Sequence, residues 1–142
     1  PSARVKGVTN MAEDRIPFGL HTITPYLVVE SVSTLIQFLQ HVFDAESRGD
    51  PQYREDGSVK HAEMRIGDSV VMMGEPMDEI GPMPAMMYLY VNDCDATYER
   101  ALAAGATSIL ELDNYPHGDR YGGVKDPVGN IWWIVTHIGK QT

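Results

Sequence analysis

Cysteine is nearly missing from this chain. Cys94 stands alone among 142 residues, which excludes an intrachain disulfide and any zinc or iron–sulfur site built from several thiolates. A reducing, cytoplasmic setting is the expectation that follows. Long hydrophobic runs are missing too: no stretch approaches the roughly 18 apolar residues of a membrane span, and no basic, apolar, small-residue succession marks a secretory signal. Basic residues are scarce, 11 Lys and Arg against 20 Asp and Glu for a net charge of −9. That argues against nucleic acid as a partner, because phosphate binding needs clustered cations. What is present is a composition 43% hydrophobic and 22% charged, that of a globular protein of one domain with a real core.

Residues 1–21 read as an N-terminal arm, the first ten without periodicity. Thr22 to Val29 then reads as a strand, rich in β-branched and aromatic side chains. From Ser31 the period changes. Leu35, Phe38, Leu39 and Val42 recur at helical spacing, with Ser31 or Ser33 to cap the start. Strands are predicted at Asp44 to Gln52, Val59 to Ile66 and Ser69 to Met73, with turns at Glu55-Asp56-Gly57-Ser58 and Gly67-Asp68. Residues 74–85 hold three prolines and two glycines and read as a linker. A second series follows: a strand from Met86 to Val91, a helix capped by Asp93 or Asp95 and stopped at Gly105, and strands at Thr107 to Leu112, Tyr121 to Lys125 and Asn130 to His137.

The two series repeat one another. Tyr26-Leu27-Val28-Val29 recurs as Tyr88-Leu89-Tyr90-Val91, 62 residues further on, and Gly67-Asp68-Ser69-Val70-Val71-Met72 meets Gly129-Asn130-Ile131-Trp132-Trp133-Ile134 at the same offset. Two separated segments that agree on one offset indicate duplication of a strand, helix, strand, strand, strand unit. The first unit spans 22–73 and the second 86–137, sharing one domain over 22–142.

Alternation within the strands assigns faces. One face, to be covered by helices, takes Leu27, Val29, Ala62, Met64, Ile66, Val70, Met72, Met87, Leu89, Val91, Trp132 and Ile134. The opposite face takes Tyr26, His61, Glu63, Arg65, Val71, Met73, Met86, Tyr88, Tyr90, Trp133 and His137. Aromatic rings mixed with a few ionisable groups describe a ligand cavity. The face of His61, Glu63 and Arg65 depends on hairpin register, since a slip of one residue reverses it. Arg65 shares the face of Glu63 and is an expected ion-pair partner for it, and Asp119 with Arg120 is expected to brace the loop 115–120.

Thr24-Pro25-Tyr26-Leu27-Val28-Val29, the hairpin from His61 to Ser69, and Gly118 to Trp133 with its Asp126-Pro127-Val128-Gly129 turn resemble the glyoxalase and bleomycin-resistance branch of the vicinal oxygen chelate superfamily. The resemblance covers Thr22 to His137. It implies an α+β fold of two tandem βαβββ modules forming a cup-shaped mixed sheet, and a homodimer. It also implies four positions where the family's enzymes hold a divalent metal through His, Gln or Glu. These map to Thr24, Val71, Met86 and Trp133, none of which offers an imidazole or carboxylate. No cofactor is therefore expected, with a displaced divalent metal on His61, Glu63 and His137 as the alternative.

Three functions compete on these residues. The first is a metal-free binding protein that encloses a small hydrophobic or aromatic molecule against Tyr26, Met73, Met86, Tyr88, Tyr90, Trp133 and His137, oriented by His61, Glu63 and Arg65. The second is an enzyme of the superfamily, a lyase, isomerase or dioxygenase, with His61 as acid or base and Glu63 beside it. The third is an interaction module with no small ligand.

Overall fold

The helical spacing of Leu35, Phe38, Leu39 and Val42 puts all four on one side of α1 (Val32–Phe43), where none is more than 3% exposed in the computed structural model, which describes residues 15–140. Burying a side chain of this kind contributes about 1.5–3 kcal/mol, enough to seat the helix on its sheet. Ser31 caps the start, its hydroxyl accepting from the Thr34 N–H at 3.3 Å. Glu75 adds a second cap across the chain. Its carboxylate accepts from the Val32 N–H and from the Val59 N–H, both at 2.8 Å, which ties the helix start to a strand end. The second helix, α2 (Cys94–Ala103), is capped by Asp93 on the Ala96 N–H at 3.1 Å. Gly105 follows it at φ 103°, a left-handed conformation that glycine adopts without strain.

Module one contains β1 (Tyr26–Val28), β2 (Glu46–Ser47), β3 (Gln52–Tyr53), β4 (Val59–Ile66) and β5 (Ser69–Gly74). Its sheet runs β1-β5-β4-β2, with β3 also on β4 and β1 parallel to β5. Module two contains β6 (Met86–Tyr90), β7 (Thr107–Asn114), β8 (Asp119–Lys125) and β9 (Ile131–His137), in the order β6-β9-β8-β7 with β6 parallel to β9. The expected succession of strand, helix and further strands is therefore present twice. Two strands of module one differ markedly from expectation. The strand predicted from Thr22 forms only from Tyr26. The one predicted over 44–52 breaks into β2 and β3, because Gly49 turns at φ 79° and Pro51 offers no N–H. The N-terminal arm is described only from residue 15, so the expectation for residues 1–14 lies outside the described residues.

The register of β5 corrects the face assignment. The two-residue turn Gly67-Asp68 pairs Ile66 with Ser69, Met64 with Val71 and Ala62 with Met73. Even-numbered residues of β4 thus share a face with odd-numbered residues of β5. Met64, Val71 and Met73 all pack in the core, and Met73 is fully buried. The assignment of Val71 and Met73 to the open face is overturned, and Val70 and Met72 take those places. The duplication also slips by one residue here. Tyr26 stands beside Met72 and Tyr88 beside Trp133, so the last strands correspond at an offset of 61 rather than 62.

The modules meet through their helical sides. The helices touch, Arg100 donates to the Val42 carbonyl at 3.0 Å, and the Phe43 ring lies 5.1 Å from that of Trp132. Among the described residues no strand of one sheet pairs with a strand of the other, and β1 and β6 stand at the ends of their own sheets' strand orders. The face of each sheet away from its helix is left outward.

Candidate functional site

On module two the outward face is a wall of rings. Register places Tyr88 beside Trp133, Tyr90 beside Val135, Trp133 beside Gly123 and Tyr121 beside Val135. Alternation on three neighbouring strands thus turns Tyr88, Tyr90, Tyr121 and Trp133 to one side. Tyr88 meets Tyr90 at 5.5 Å and Tyr121 at 5.7 Å, and Tyr121 meets Trp133 at 6.0 Å, each pair close to perpendicular. Tyr115 stacks on Tyr121 at 4.1 Å. These rings are not sealed off: Tyr88 is 46% exposed, while Tyr90 and Met86 are each 61% exposed.

Gly123 explains how the indole lies flat on this sheet. A Cβ there would stand 2.5 Å from Trp133 Cε3, so only the bare backbone leaves room for the ring. Module one repeats the device with another residue pair. A Cβ on Gly74 would stand 2.8 Å from the Tyr26 hydroxyl.

Asp119 is the polar centre of the ring wall. Its carboxylate accepts from the Tyr88 hydroxyl at 2.6 Å, the Tyr90 hydroxyl at 3.0 Å and His137 Nδ1 at 2.9 Å, and His117 Nε2 lies 3.3 Å away. The residue is 3% exposed. The Tyr88 hydrogen bond, followed by that of His137, holds its carboxyl down at about 2. Burial and the Asp119 carboxylate push the Tyr88 phenol far up, and the hydrogen bond to Asp119 raises Tyr90. Both phenols are therefore neutral donors toward Asp119 at physiological pH. Sequence reasoning placed Tyr88, Tyr90, Trp133 and His137 here but left Asp119, Tyr121 and Gly123 out. It started β8 at Tyr121. Two residues more would have extended the alternation to Asp119 and put it opposite His137.

Module one presents a smaller polar group. His61 Nε2 lies 2.7 Å from Glu63 Oε2, and His61 Nδ1 lies 3.3 Å from the Tyr26 hydroxyl. The other Glu63 oxygen accepts from Arg48. Burial pulls the Glu63 carboxyl upward, and the His61 and Arg48 hydrogen bonds outweigh it to leave the carboxyl below its ordinary range. The expected Glu63–Arg65 pair does not form, because Arg48 at the end of β2 occupies that carboxylate. Arg65 makes no ion pair among the described residues. Asp119 is likewise more than a loop brace, and Arg120 grips Asp95 through two bonds of 2.8 Å while also donating to Asn114 Oδ1 at 3.1 Å across the loop.

Tyr26, His61, Glu63 and Arg65 thus lie on one outward face, and Met86, Tyr88, Tyr90, Trp133 and His137 on the other. Met73 belongs to neither. A larger cleft of about 900 Å³ lies between the modules, along the free edge of β6 and against residues 21–25. Its walls include Met87, Leu89 and Trp132 from the helix-facing side, and Tyr88 and Tyr90 contribute to its lining as well as to the ring wall. The ring wall, with its perpendicular aromatics around a buried carboxylate, is the better equipped of the two for recognition.

Paired βαβββ units with a helix on one side of each sheet define the glyoxalase-like class of fold. A sequence model described as "Glyoxalase/Bleomycin resistance protein/Dioxygenase superfamily" matches residues 19–134, and the chain belongs to that superfamily. An uncharacterized protein of Mycobacterium bovis is 36% identical over 121 residues, covering 78% of this chain and 79% of the relative. One from Mycobacterium tuberculosis is equally similar, with 71% of its own length covered. Among solved structures, TioX from Micromonospora sp. ML1 aligns with a TM-score of 0.66 at 23% identity, over 86% of this chain and all of that one. A putative 3-demethylubiquinone-9 3-methyltransferase, PhnB protein, from Bacillus cereus aligns at 0.65 and 22% identity, over 82% and 99%. At these identities the two structures speak for the fold alone.

The metal centre of the family's enzymes does not fit the residues found here. With β5 in its observed register, the four positions carry Thr24, Met72, Met86 and Trp133, so Met72 replaces the Val71 assigned from the sequence. A hydroxyl, two thioethers and an indole are not the donors that hold a hard or borderline divalent ion. The indole also occupies the sheet surface over Gly123. Among the described residues no three His, Cys, Asp or Glu side chains converge as a metal site, the alternative set of His61, Glu63 and His137 included.

Proposed function

We propose that the protein binds a small, flat apolar or aromatic molecule on the outward face of module two, without the metal of its enzymatic relatives. The observation that carries this reading is the wall of Tyr88, Tyr90, Tyr121 and Trp133, held by Asp119 yet open to solvent. Rings of this kind contribute about 0.5–1.5 kcal/mol per contact beyond burial, so three or four contacts supply about 1.5–6 kcal/mol, and burial of the guest's apolar surface has to furnish the rest of the roughly 8 kcal/mol of micromolar affinity. The cup is completed by a second copy. Module one of one chain covers module two of the other, bringing Tyr26 and the His61–Glu63 pair over the ring wall. The free edge of β6 and the exposed Tyr26, Met86 and Tyr90 favour this arrangement.

The test is a titration of intrinsic fluorescence with flat aromatic compounds. Trp132 is buried and Trp133 half-buried on the wall. Quenching that vanishes in Trp133→Leu, with the remaining Trp132 emission unchanged, is the expected result. No response to any compound up to millimolar concentration would refute the binding reading. Light scattering in the same buffer should give twice the chain mass of 15.8 kDa, and a monomer would remove the second copy from the site.

A second reading rests on the His61 group. Glu63 and Arg48 fix the imidazole from one side while its other nitrogen faces the Tyr26 hydroxyl. This is the geometry of an oriented acid–base group, and it supports a lyase or isomerase working on the enclosed guest. Conversion of a bound compound that is lost in His61→Ala, with binding retained, would favour catalysis over sequestration.

A further inference from the structure

The charge of the guest can be read from the direction in which the wall's protons point. Tyr88 and Tyr90 each own one hydroxyl proton, and both protons are committed to Asp119 behind them, at 2.6 and 3.0 Å. At Tyr88 and Tyr90 the guest therefore meets ring faces and phenol lone pairs, which attract positive charge and offer nothing to an anion. Behind the phenols lies an ionised carboxylate, 3% exposed. Near-perpendicular pairs, Tyr88 with Tyr90 at 75°, Tyr88 with Tyr121 at 66° and Tyr121 with Trp133 at 74°, make corners that present π faces from more than one side. An organic cation is held by this kind of cage.

Within the wall's own chain, Arg120 and Lys125 do not cancel the field. Arg120, next in sequence to Asp119, is engaged with Asp95 through two bonds. Lys125 lies at the far end of β8, beside Ile131. His117 and His137 contact Asp119 directly and are charged only when protonated. The chain as a whole carries −9, which favours encounter with a cation at low ionic strength.

We propose that the guest of the ring wall is a flat organic cation, a conjugated ring system carrying a permanently charged nitrogen, held by Tyr88, Tyr90, Tyr121 and Trp133 over the Asp119 carboxylate. The proposal rests on the binding reading above and narrows it to one class of molecule.

Its test compares three probes of nearly equal shape on the full-length protein at low salt: N-methylquinolinium, its neutral isostere 1-methylnaphthalene, and the anion 2-naphthoate. The expected result is binding of N-methylquinolinium at least tenfold tighter than 1-methylnaphthalene, with 2-naphthoate weakest. Asp119→Asn should bring the cation-to-neutral ratio within about twofold, read as a ratio so that any common loss of affinity for both probes cancels. The wild-type comparison needs no variant to fold, so it decides the matter alone if Asp119→Asn is unstable. Equal binding of cation and neutral isostere, or preference for 2-naphthoate, would overturn the cation and leave the aromatic guest standing. No binding of any of the three at millimolar concentration would overturn both.

Discussion

Replacing Gly123 with alanine is expected to unseat Trp133. The new methyl would stand 2.5 Å from Cε3 of the indole and 3.1 Å from Ile109 Cγ1, where carbon atoms need about 3.5 Å or more. The backbone at Gly123 shows no positive φ, so alanine itself is tolerated and the conflict falls on the ring. Were the ring locked, overpacking would cost about 1–3 kcal/mol. Trp133 is only half-buried and has room to swing toward solvent. The cost should then fall to that of its edge contact with Tyr121, about 0.5–1.5 kcal/mol. Guest binding loses its main stacking surface, and affinity should drop about tenfold, the factor for 1.4 kcal/mol. Urea denaturation followed by circular dichroism reads the first quantity. The emission maximum of Trp133, expected to move to the red, and a ligand titration read the second. Unchanged emission together with unchanged affinity would refute the seating of the indole on Gly123 and its role in the wall.

Other consequences follow from single carboxylates. Asp126 accepts from the Val128 and Asn130 N–H groups, from Asn130 Nδ2 and from the buried Trp132 Nε1 at 2.8 Å. Asp126→Ala should destabilise the fold by about 3 kcal/mol or more, since an orphaned buried donor costs about 1–3 kcal/mol, and a shift of under 1 kcal/mol in urea would contradict this. Glu75→Ala removes the acceptor of Val32 N–H and Val59 N–H and should cost about 1–2 kcal/mol; a melting temperature equal to wild type would be the contrary result. Asp119 titrates at about 2 in the fold against 3.8 ordinarily, so its ionised form stabilises the protein above pH 4 and that contribution is lost as pH falls from about 4 toward 2. A stability profile for Asp119→Asn should be flatter than wild type across that window, and parallel profiles would remove Asp119 as the centre of the wall.

Local physics made much of this fold legible. Leu35, Phe38, Leu39 and Val42 had one solution at helical period, and Ser31 and Asp93 are caps by chemistry. The strands around Tyr88 and Trp133 were readable because both faces of β6 and β9 alternate without a turn between them. β5 was misread because its face is inherited through a two-residue turn, and Val70, Val71, Met72 and Met73 are apolar on both sides, so the pattern itself carried no parity. The same uniformity hid the one-residue slip between the two copies. Asp119 was missed for a different reason: its partners Tyr88, Tyr90 and His137 come from two other strands, and only register brings them together. Arg48 reached Glu63 ahead of Arg65 through a pairing of β2 that a two-residue strand barely announces.

The most direct measurement is the methyl NMR spectrum of methionine-labelled protein during titration with a flat aromatic cation. Met86 stands on the ring-wall face, Met64 and Met73 are sealed in the core, and Met87 lines the cleft between the modules. A guest on the wall shifts Met86 by ring current and leaves Met64, Met73 and Met87 in place. Shifts at Met87 with Met86 unmoved would put the guest in the cleft and contradict the site proposed for it.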